Sequence, residues 1–261
     1  MNDTIVVIIP ARFASSRLPG KPLLDLGGKP MIRHVYERAL QAGVATVWVA
    51  TDDQRIFEAV QAFGGRVIMT SAHHQSGTDR VAEAAQQLEA TIVVNVQGDE
   101  PLLDPALIDQ VAAPLQADPH LDMATLAHPL HDPEEANDPN VVKVVCDRRG
   151  FALYFSRLPI PFDRDRGEGR APLLRHVGLY AYRAGFLQTF ARLPPTELEQ
   201  RERLEQLRAL EYGHAIRVVV ADGAAAIGVD TPADVQKVRR LLENGAACHP
   251  VQRANCPGVC S

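Results

Sequence analysis

Residues 4–23 read "TIVVIIPARFASSRLPGKPL", and the fold of the chain is decided there. The run through Ile9 is apolar at successive positions, without the alternation of a strand that has one wet face. It therefore predicts a strand buried on both sides, as in a parallel sheet covered by helices. The strand runs into a segment carrying Arg12, Arg17 and Lys21, which Pro19, Gly20 and Pro22 keep out of helix. Ligands of open α/β sheets bind outside the carboxyl ends of the strands, so the three cations stand where an anion would dock. Taken alone, the same residues read equally well as a solvated cationic loop. The segment holds neither the G-x-G-x-x-G of dinucleotide sites nor the G-x-x-x-x-G-K-[ST] of P-loops.

Moving outward, strand and helix patterns alternate. "MIRHVYERALQAG" (31–43) has helical spacing through Met31, Val35, Ala39 and Leu40 with Gly43 as a stop, and "VATVWVAT" (44–51) is a strand with Trp48 as a packing residue. Helix (53–65), strand (66–69), helix (78–89) and strand (91–96) follow. Such alternation predicts an α/β fold with a mostly parallel central sheet and helices on both faces. After about Met123 the strand-like runs "MATLAHPL", "VVKVVCD", "FALYFSR" and "HVGLYAYR" lack full crossover helices, which predicts a smaller antiparallel addition or β-arm over roughly 123–195. Residues 196–213 predict one charged helix carrying Leu198, Leu204, Leu207 and Leu210 on one side. A late strand, "IRVVVAD", and a last helix, "TPADVQKVRRLLEN" with Thr231 as N-cap, complete a single domain over 1–243. The tail 244–261, with Cys248, Cys256 and Cys260, lacks paired zinc-ligand spacing and is expected to be poorly ordered, its thiols reduced.

Composition excludes several classes. Of 261 residues 46% are apolar, and the formal net charge is -5, so there is no global footprint for nucleic acid. No run approaches the length of a membrane span, and the amino terminus lacks a signal-like charged and apolar region, so a cytoplasmic protein without membrane insertion is expected. His73-His74 and the pair His128 and His131 lack further ligands at zinc-site spacing.

Two further strand ends carry acids. In "NVQGDEP" (95–101) Gly98 permits a tight turn, after which Asp99 and Glu100 face the ligand edge; in "GVDTP" (228–232) Asp230 does the same ahead of a helix. Mg2+ commonly takes one or two carboxylates and completes its shell with water and phosphate oxygens. Acids facing a cationic loop thus suit a metal-bound nucleotide, although an N-cap role for Asp230 and a turn role for Asp99 are alternatives.

"VVIIPARFASSRLPGKPL", "HHQSGTDR", "VNVQGDEP", "DPNVVKVV", "ALYFSR", "RHVGLYAYR", "LEQLR" and "GVDTPAD" together resemble the 3-deoxy-manno-octulosonate cytidylyltransferases, in the family's order from about residue 5 to 240. The resemblance implies a Rossmann-like nucleotidyltransferase fold, a homodimer and Mg2+ as cofactor. The implied reaction activates 3-deoxy-D-manno-octulosonate (Kdo) for lipopolysaccharide synthesis: CTP and Kdo give CMP-Kdo and diphosphate. Carried over by position, Arg12, Arg17 and Lys21 hold the triphosphate, Lys21 and Arg17 acting in catalysis. Ser76 and Gly77 contact the cytosine of CTP, and Asp99 and Asp230 bind metal. Kdo falls to Arg80, Gln97, Tyr154, Ser156, Arg157, His176, Tyr180, Glu205 and Gln206, with Arg157 facing its carboxylate. Phe13 and Asp79 are conservative departures from the family pattern.

Three rivals stand beside this reading. A cytidylyltransferase for sialic acid or another acidic keto-sugar would share the basic loop and diverge in "ALYFSR" and "RHVGLYAYR". A non-catalytic nucleotide-binding regulator would need no paired acids at Asp99 and Asp230. A Mg2+-dependent phosphatase, suggested by "ATDD", would want a D-x-D pattern that is absent there.

Overall fold

The structure, a computed structural model, describes residues 3–14, 18–43, 46–164, 172–221 and 227–243. Arg17 and the cysteine-bearing tail lie outside the described residues.

Strand β1 (Ile5–Ala11) is flanked on both sides by parallel partners, β2 (Thr46–Thr51) and β4 (Ile92–Asn95), with β3 (Val67–Met69) parallel beyond β2. Its apolar composition has the expected cause. Ile5, Val7 and Ile9 pack with Ile32 and Val35 of α1 (Met31–Ala39) and Val111 of α4 (Pro105–Ala117). Val6 and Ile8 enter a second cluster with Val81 and Ala84 of α3 (Gly77–Ala85). Helix α2 (Gln54–Ala62), N-capped by Asp53, connects β2 to β3.

Beyond β4 the sheet continues with β8 (Leu173–Arg183), antiparallel to β4 and to β5 (Met123–Leu130). Strand β9 (Ile216–Val220) is parallel to β5 at the far edge. The described strands thus form one mostly parallel sheet in the order β3-β2-β1-β4-β8-β5-β9. Only the ribbon of β6 (Lys143–Cys146) and β7 (Ala152–Ser156) lies off this path, so the antiparallel addition is smaller than 123–195: β5 and β8 belong to the central sheet. The short helices α5 (Pro133–Asn137) and α6 (Ala184–Phe190) precede β6 and follow β8.

The single charged helix expected over 196–213 is corrected to two. Helix α7 (Glu197–Glu202) ends at Arg203 in the left-handed conformation (φ 54°), and α8 (Gln206–Glu211) restarts after it. The break lets Leu204 and Leu207 enter the core while Leu198 stays exposed, and it turns Glu205 inward. Glu199 of α7 and Arg208 of α8 form an ion pair that holds the two segments together. Finally α9 (Pro232–Glu243) packs Val235 and Val238 on Leu26 and Met31, which anchors the turn carrying Asp230 beside the loop after β1.

Candidate active site

At the carboxyl edge of β1, three turns close on a cleft of about 570 Å³. Gly20 adopts φ +71°, and any Cβ there would stand 3.0 Å from the Phe13 ring, so only glycine brings the loop back on itself. The reversal opens a short 3-10 turn at Lys21–Leu23 and directs Lys21 into the cleft. A second close approach sets the acid. A Cβ on Gly98 would lie 2.9 Å from the Pro10 carbonyl oxygen, so glycine lets the turn after β4 press against the end of β1. The Val229 N–H then donates to the Asp99 carbonyl at 2.9 Å, tying that turn to the one bearing Asp230.

The result is a compact charge cluster. Lys21 Nζ donates to Asp99 Oδ2 at 2.7 Å and to Asp230 Oδ1 at 3.1 Å. Two carboxylates therefore converge on one cation, a donor set that suits Mg2+ sharing its shell with phosphate oxygens and water. Glu100, next in the chain, has its carboxyl pushed up to about 7 by burial and by the Asp99 charge, with Arg175 pulling the other way. Across the cleft Ser76 caps α3: its Oγ accepts from the Asp79 N–H at 3.0 Å while Asp79 Oδ2 accepts from the Ser76 N–H at 3.2 Å. This capping box presents Ser76 and Gly77, with their backbone, at the amino terminus of α3. Arg12 and Arg80 also line the cleft. Arg80 is buried and donates to Asp52 Oδ2 at 2.8 Å and to Thr70 Oγ1 at 2.6 Å. The two acids of "ATDD" thus have structural work: Asp52 holds Arg80 and Asp53 caps α2.

Gln97 and Gly77 also border a second cavity of about 370 Å³, so the two spaces adjoin. Here His176, Tyr180, Glu205 and Gln206, four of the residues that the resemblance assigns to the sugar, line one cavity. Gln97 Nε2 donates to the Gly178 carbonyl at 3.0 Å. Thr125 Oγ lies 3.0 Å from His176 Nε2 and within bonding reach of the Val177 and Leu179 carbonyls. With the threonine proton on a carbonyl, its oxygen accepts the His176 Nε2–H, leaving the Nδ1 lone pair as acceptor. Burial lowers the imidazole pKa to about 3, so the ring is neutral. Burial likewise raises the Tyr180 hydroxyl and the Glu205 carboxyl above their ordinary values; the Thr78 hydroxyl donates to Glu205. Asn95 Oδ1, Glu205 Oε1 and Gln206 Nε2 are buried with no hydrogen-bond partner, and all three residues line this cavity. Orphaned polar atoms clustered on one cavity ask for a ligand rich in hydroxyls.

Four expected residues are not brought to this cavity. Tyr154 lines a separate apolar recess. The Ser156 hydroxyl donates to Glu202 Oε1 at 2.7 Å. Arg157 donates to the backbone carbonyls of Glu202 (2.6 Å), Pro139 (2.8 Å) and Arg203 (3.3 Å), clasping the loops before β6 and after α7. Arg80 lines the first cleft rather than the sugar-sized cavity. Sequence reasoning missed Asn95, Thr78, Asn140 and Arg175, which line the second cavity; Arg175 was visible only as the neighbour of His176 in "RHVGLYAYR".

The comparisons with known proteins agree with this architecture. The model of the family described as "Cytidylyltransferase" matches residues 6–216. A 3-deoxy-manno-octulosonate cytidylyltransferase of Vibrio parahaemolyticus is 53% identical over 251 residues, covering 93% of this chain and 100% of the relative. Its counterpart in Geobacter sulfurreducens is 55% identical over 249 residues, covering 92% and 99%. Among solved structures, CMP:2-keto-3-deoxy-manno-octonic acid synthetase complexed with CTP superimposes with a TM-score of 0.87 at 53% identity, over 92% of this chain and 99% of that one. The 4-diphosphocytidyl-2C-methyl-D-erythritol synthase of Anaerococcus prevotii, at TM-score 0.61 and 13% identity over 93% and 100%, shares the fold alone. With a cleft of charged side chains at the end of β1, a polar cavity beside it and more than half of its residues shared with the two curated relatives, the chain belongs to the cytidylyltransferase family.

Proposed function

We propose that the chain transfers a cytidylyl group from CTP to Kdo, releasing diphosphate. The observation that carries this reading is the pair of adjoining cavities, one holding Lys21, Asp99 and Asp230, the other lined by orphaned polar atoms, with Gln97 bordering both. The relatives named for this reaction, one solved with CTP, support the assignment of the two substrates.

The triphosphate lies over the loop after β1, against Arg12 and Lys21, with the base towards Ser76 and Gly77. Asp99 and Asp230 hold Mg2+, which when bound neutralises phosphate charge and polarises the α-phosphate. The sugar fills the second cavity, its hydroxyls meeting Asn95, Gln97, His176, Tyr180, Glu205 and Gln206. The anomeric oxygen of Kdo attacks the α-phosphorus and forms a new P–O bond. The bond from that phosphorus to the bridging oxygen breaks, diphosphate leaves with the electron pair, and the hydroxyl releases its proton. Such transfers need positioning and charge neutralisation more than covalent help from the protein. Arg12, Arg17 and Lys21 supply the second by meeting the charge that develops on the departing diphosphate.

The recess bordered by Leu153, Tyr154, Ile160 and Leu174, with Leu158 70% and Phe162 86% exposed nearby, supports a homodimer formed through the β6–β7 ribbon. Among the described residues no helix is long and apolar enough to cross a membrane. We assign the reaction to the cytoplasm, where CTP is supplied.

The test is diphosphate release with Mg2+ and CTP, comparing Kdo, sialic acid and no sugar. Release that depends on Kdo is expected; release indifferent to Kdo, or stronger with sialic acid, overturns the reading.

A further inference from the structure

We infer that Arg175, rather than Arg157, reads the carboxylate of the acid sugar. The inference rests on the proposed transfer to a keto-acid sugar and names the group that makes the site selective for an acid.

Among the described residues lining the second cavity, Arg175 is the one with a permanent positive charge, since His176 is buried and neutral. The carboxyl side chain that an acid sugar meets there, Glu205, is itself an acid. Arg175 is held only loosely. Its Nη1 lies 3.4 and 3.5 Å from the Glu135 carboxylate oxygens, at the long limit of hydrogen bonding, with the arginine side chain 30% and the glutamate 45% exposed. A guanidinium so placed retains donors for a second carboxylate, and a fork-shaped donor suits that shape. Arg157 differs, because its donors already end on the carbonyls of Pro139, Glu202 and Arg203.

Location gives the second argument. Strand β8 runs antiparallel to β4, with Tyr180 paired to Asn95 and the Gly178 carbonyl accepting from Gln97 Nε2. Arg175, three residues further back along β8, therefore lies past the carboxyl end of β4, the end whose turn carries Asp99. The Kdo carboxylate is attached to the carbon bearing the attacking hydroxyl, so it must lie beside the reacting phosphorus, at this same seam.

The test compares wild type, Arg175→Gln, Arg175→Lys and Arg157→Gln with Kdo and with its C1 amide, which keeps the hydroxyls and removes the charge. Arg175→Gln is expected to raise the KM for Kdo about 10- to 100-fold, the range of a lost charge-assisted hydrogen bond. It should leave the KM for CTP within about twofold and abolish the preference for acid over amide, a change that mere loosening of the fold does not produce. Arg175→Lys should recover part of that preference, and it carries the test if the glutamine variant folds poorly. Arg157→Gln should weaken both sugars alike. Undiminished acid preference in Arg175→Gln, or loss of that preference in Arg157→Gln alone, overturns the inference. If wild type turns over Kdo and only these outcomes appear, the proposed reaction stands without it; if wild type ignores Kdo, the reaction itself fails.

Discussion

Lys21 Nζ lies 2.7 Å from Asp99 Oδ2, and the same ammonium reaches Asp230 at 3.1 Å, so the lysine stands where a divalent cation would bind. A metal ion entering between the acids must send the lysine elsewhere, and the triphosphate is the partner at hand. Lys21→Met is therefore expected to bind Mn2+ more tightly than wild type without nucleotide, as read by electron paramagnetic resonance. Its kcat with CTP and Kdo should fall by about two orders of magnitude, the scale of removing a donor to developing charge. Equal Mn2+ affinity in the two proteins would mean that the contact does not compete with metal.

Asp99→Asn tests the acid side of the same relationship. It should cut turnover at least about a hundredfold and leave the melting temperature nearly unchanged, because Asp99 is partly exposed and its backbone bond to Val229 survives the change. Near-normal turnover at saturating Mg2+ would remove Asp99 from the metal site.

Glu205 is half-buried, its carboxyl raised by desolvation, and one of its oxygens lacks a hydrogen-bond partner. Such a group is kept at some expense to the fold, which points to function. Glu205→Gln removes the charge and keeps the shape. It should raise the melting temperature by about 2–4 °C, the response of a domain of this size to roughly 1 kcal/mol, while raising the KM for Kdo about tenfold or more. Calorimetry and steady-state kinetics check the two halves separately. A variant that is stabilised and fully active would take Glu205 out of the sugar site.

How far the sequence carried depended on whether a feature was local. The buried β1 and the turns at Gly20 and Gly98 were legible, because apolar runs and glycines act within a few residues of themselves. Helix α4 was not, since Pro105 and Pro114 and a nearly all-apolar sequence hide its period, although Pro105 sits at the first turn, where proline is tolerated. The break at Arg203 was equally hidden, because arginine carries no preference for a positive φ. In the site, Arg12 and Lys21 line the cleft at the end of β1, the edge that chain position indicated. The resemblance gave Arg157 to the sugar and passed over Arg175; what engages Arg157 is a set of carbonyls 18 to 46 residues away, which no local pattern reveals.

The β6–β7 ribbon offers a test of assembly. Leu153, on β7, is 62% exposed beside the apolar recess. Leu153→Asp is expected to convert a dimer to a monomer in light scattering, with little change in the stability of the single chain, because the side chain is not part of its core. A wild type that is monomeric at micromolar concentration would refute the proposed dimer directly.

His176 makes a prediction about acid. Its imidazole is enclosed by the Phe155 and Tyr180 rings at centroid distances of 5.0 and 5.5 Å, and burial holds its pKa near 3 against 6.5 for an ordinary histidine. Between these values the unfolded chain binds a proton at this site and the folded chain does not. Protons therefore favour unfolding, and the native state loses stability as pH falls below about 6.5, until the folded ring also titrates near 3. By linkage the loss from this one residue is about 2 kcal/mol between pH 8 and pH 5. Urea denaturation of wild type and His176→Gln at both pH values isolates it: the difference in stability between the two proteins should shift by about that amount in favour of the variant at pH 5. The pH profile for Kdo use should meanwhile show no ionisation from His176 near neutrality, and a histidine resonance titrating there that vanishes in the variant would contradict the neutral, buried ring.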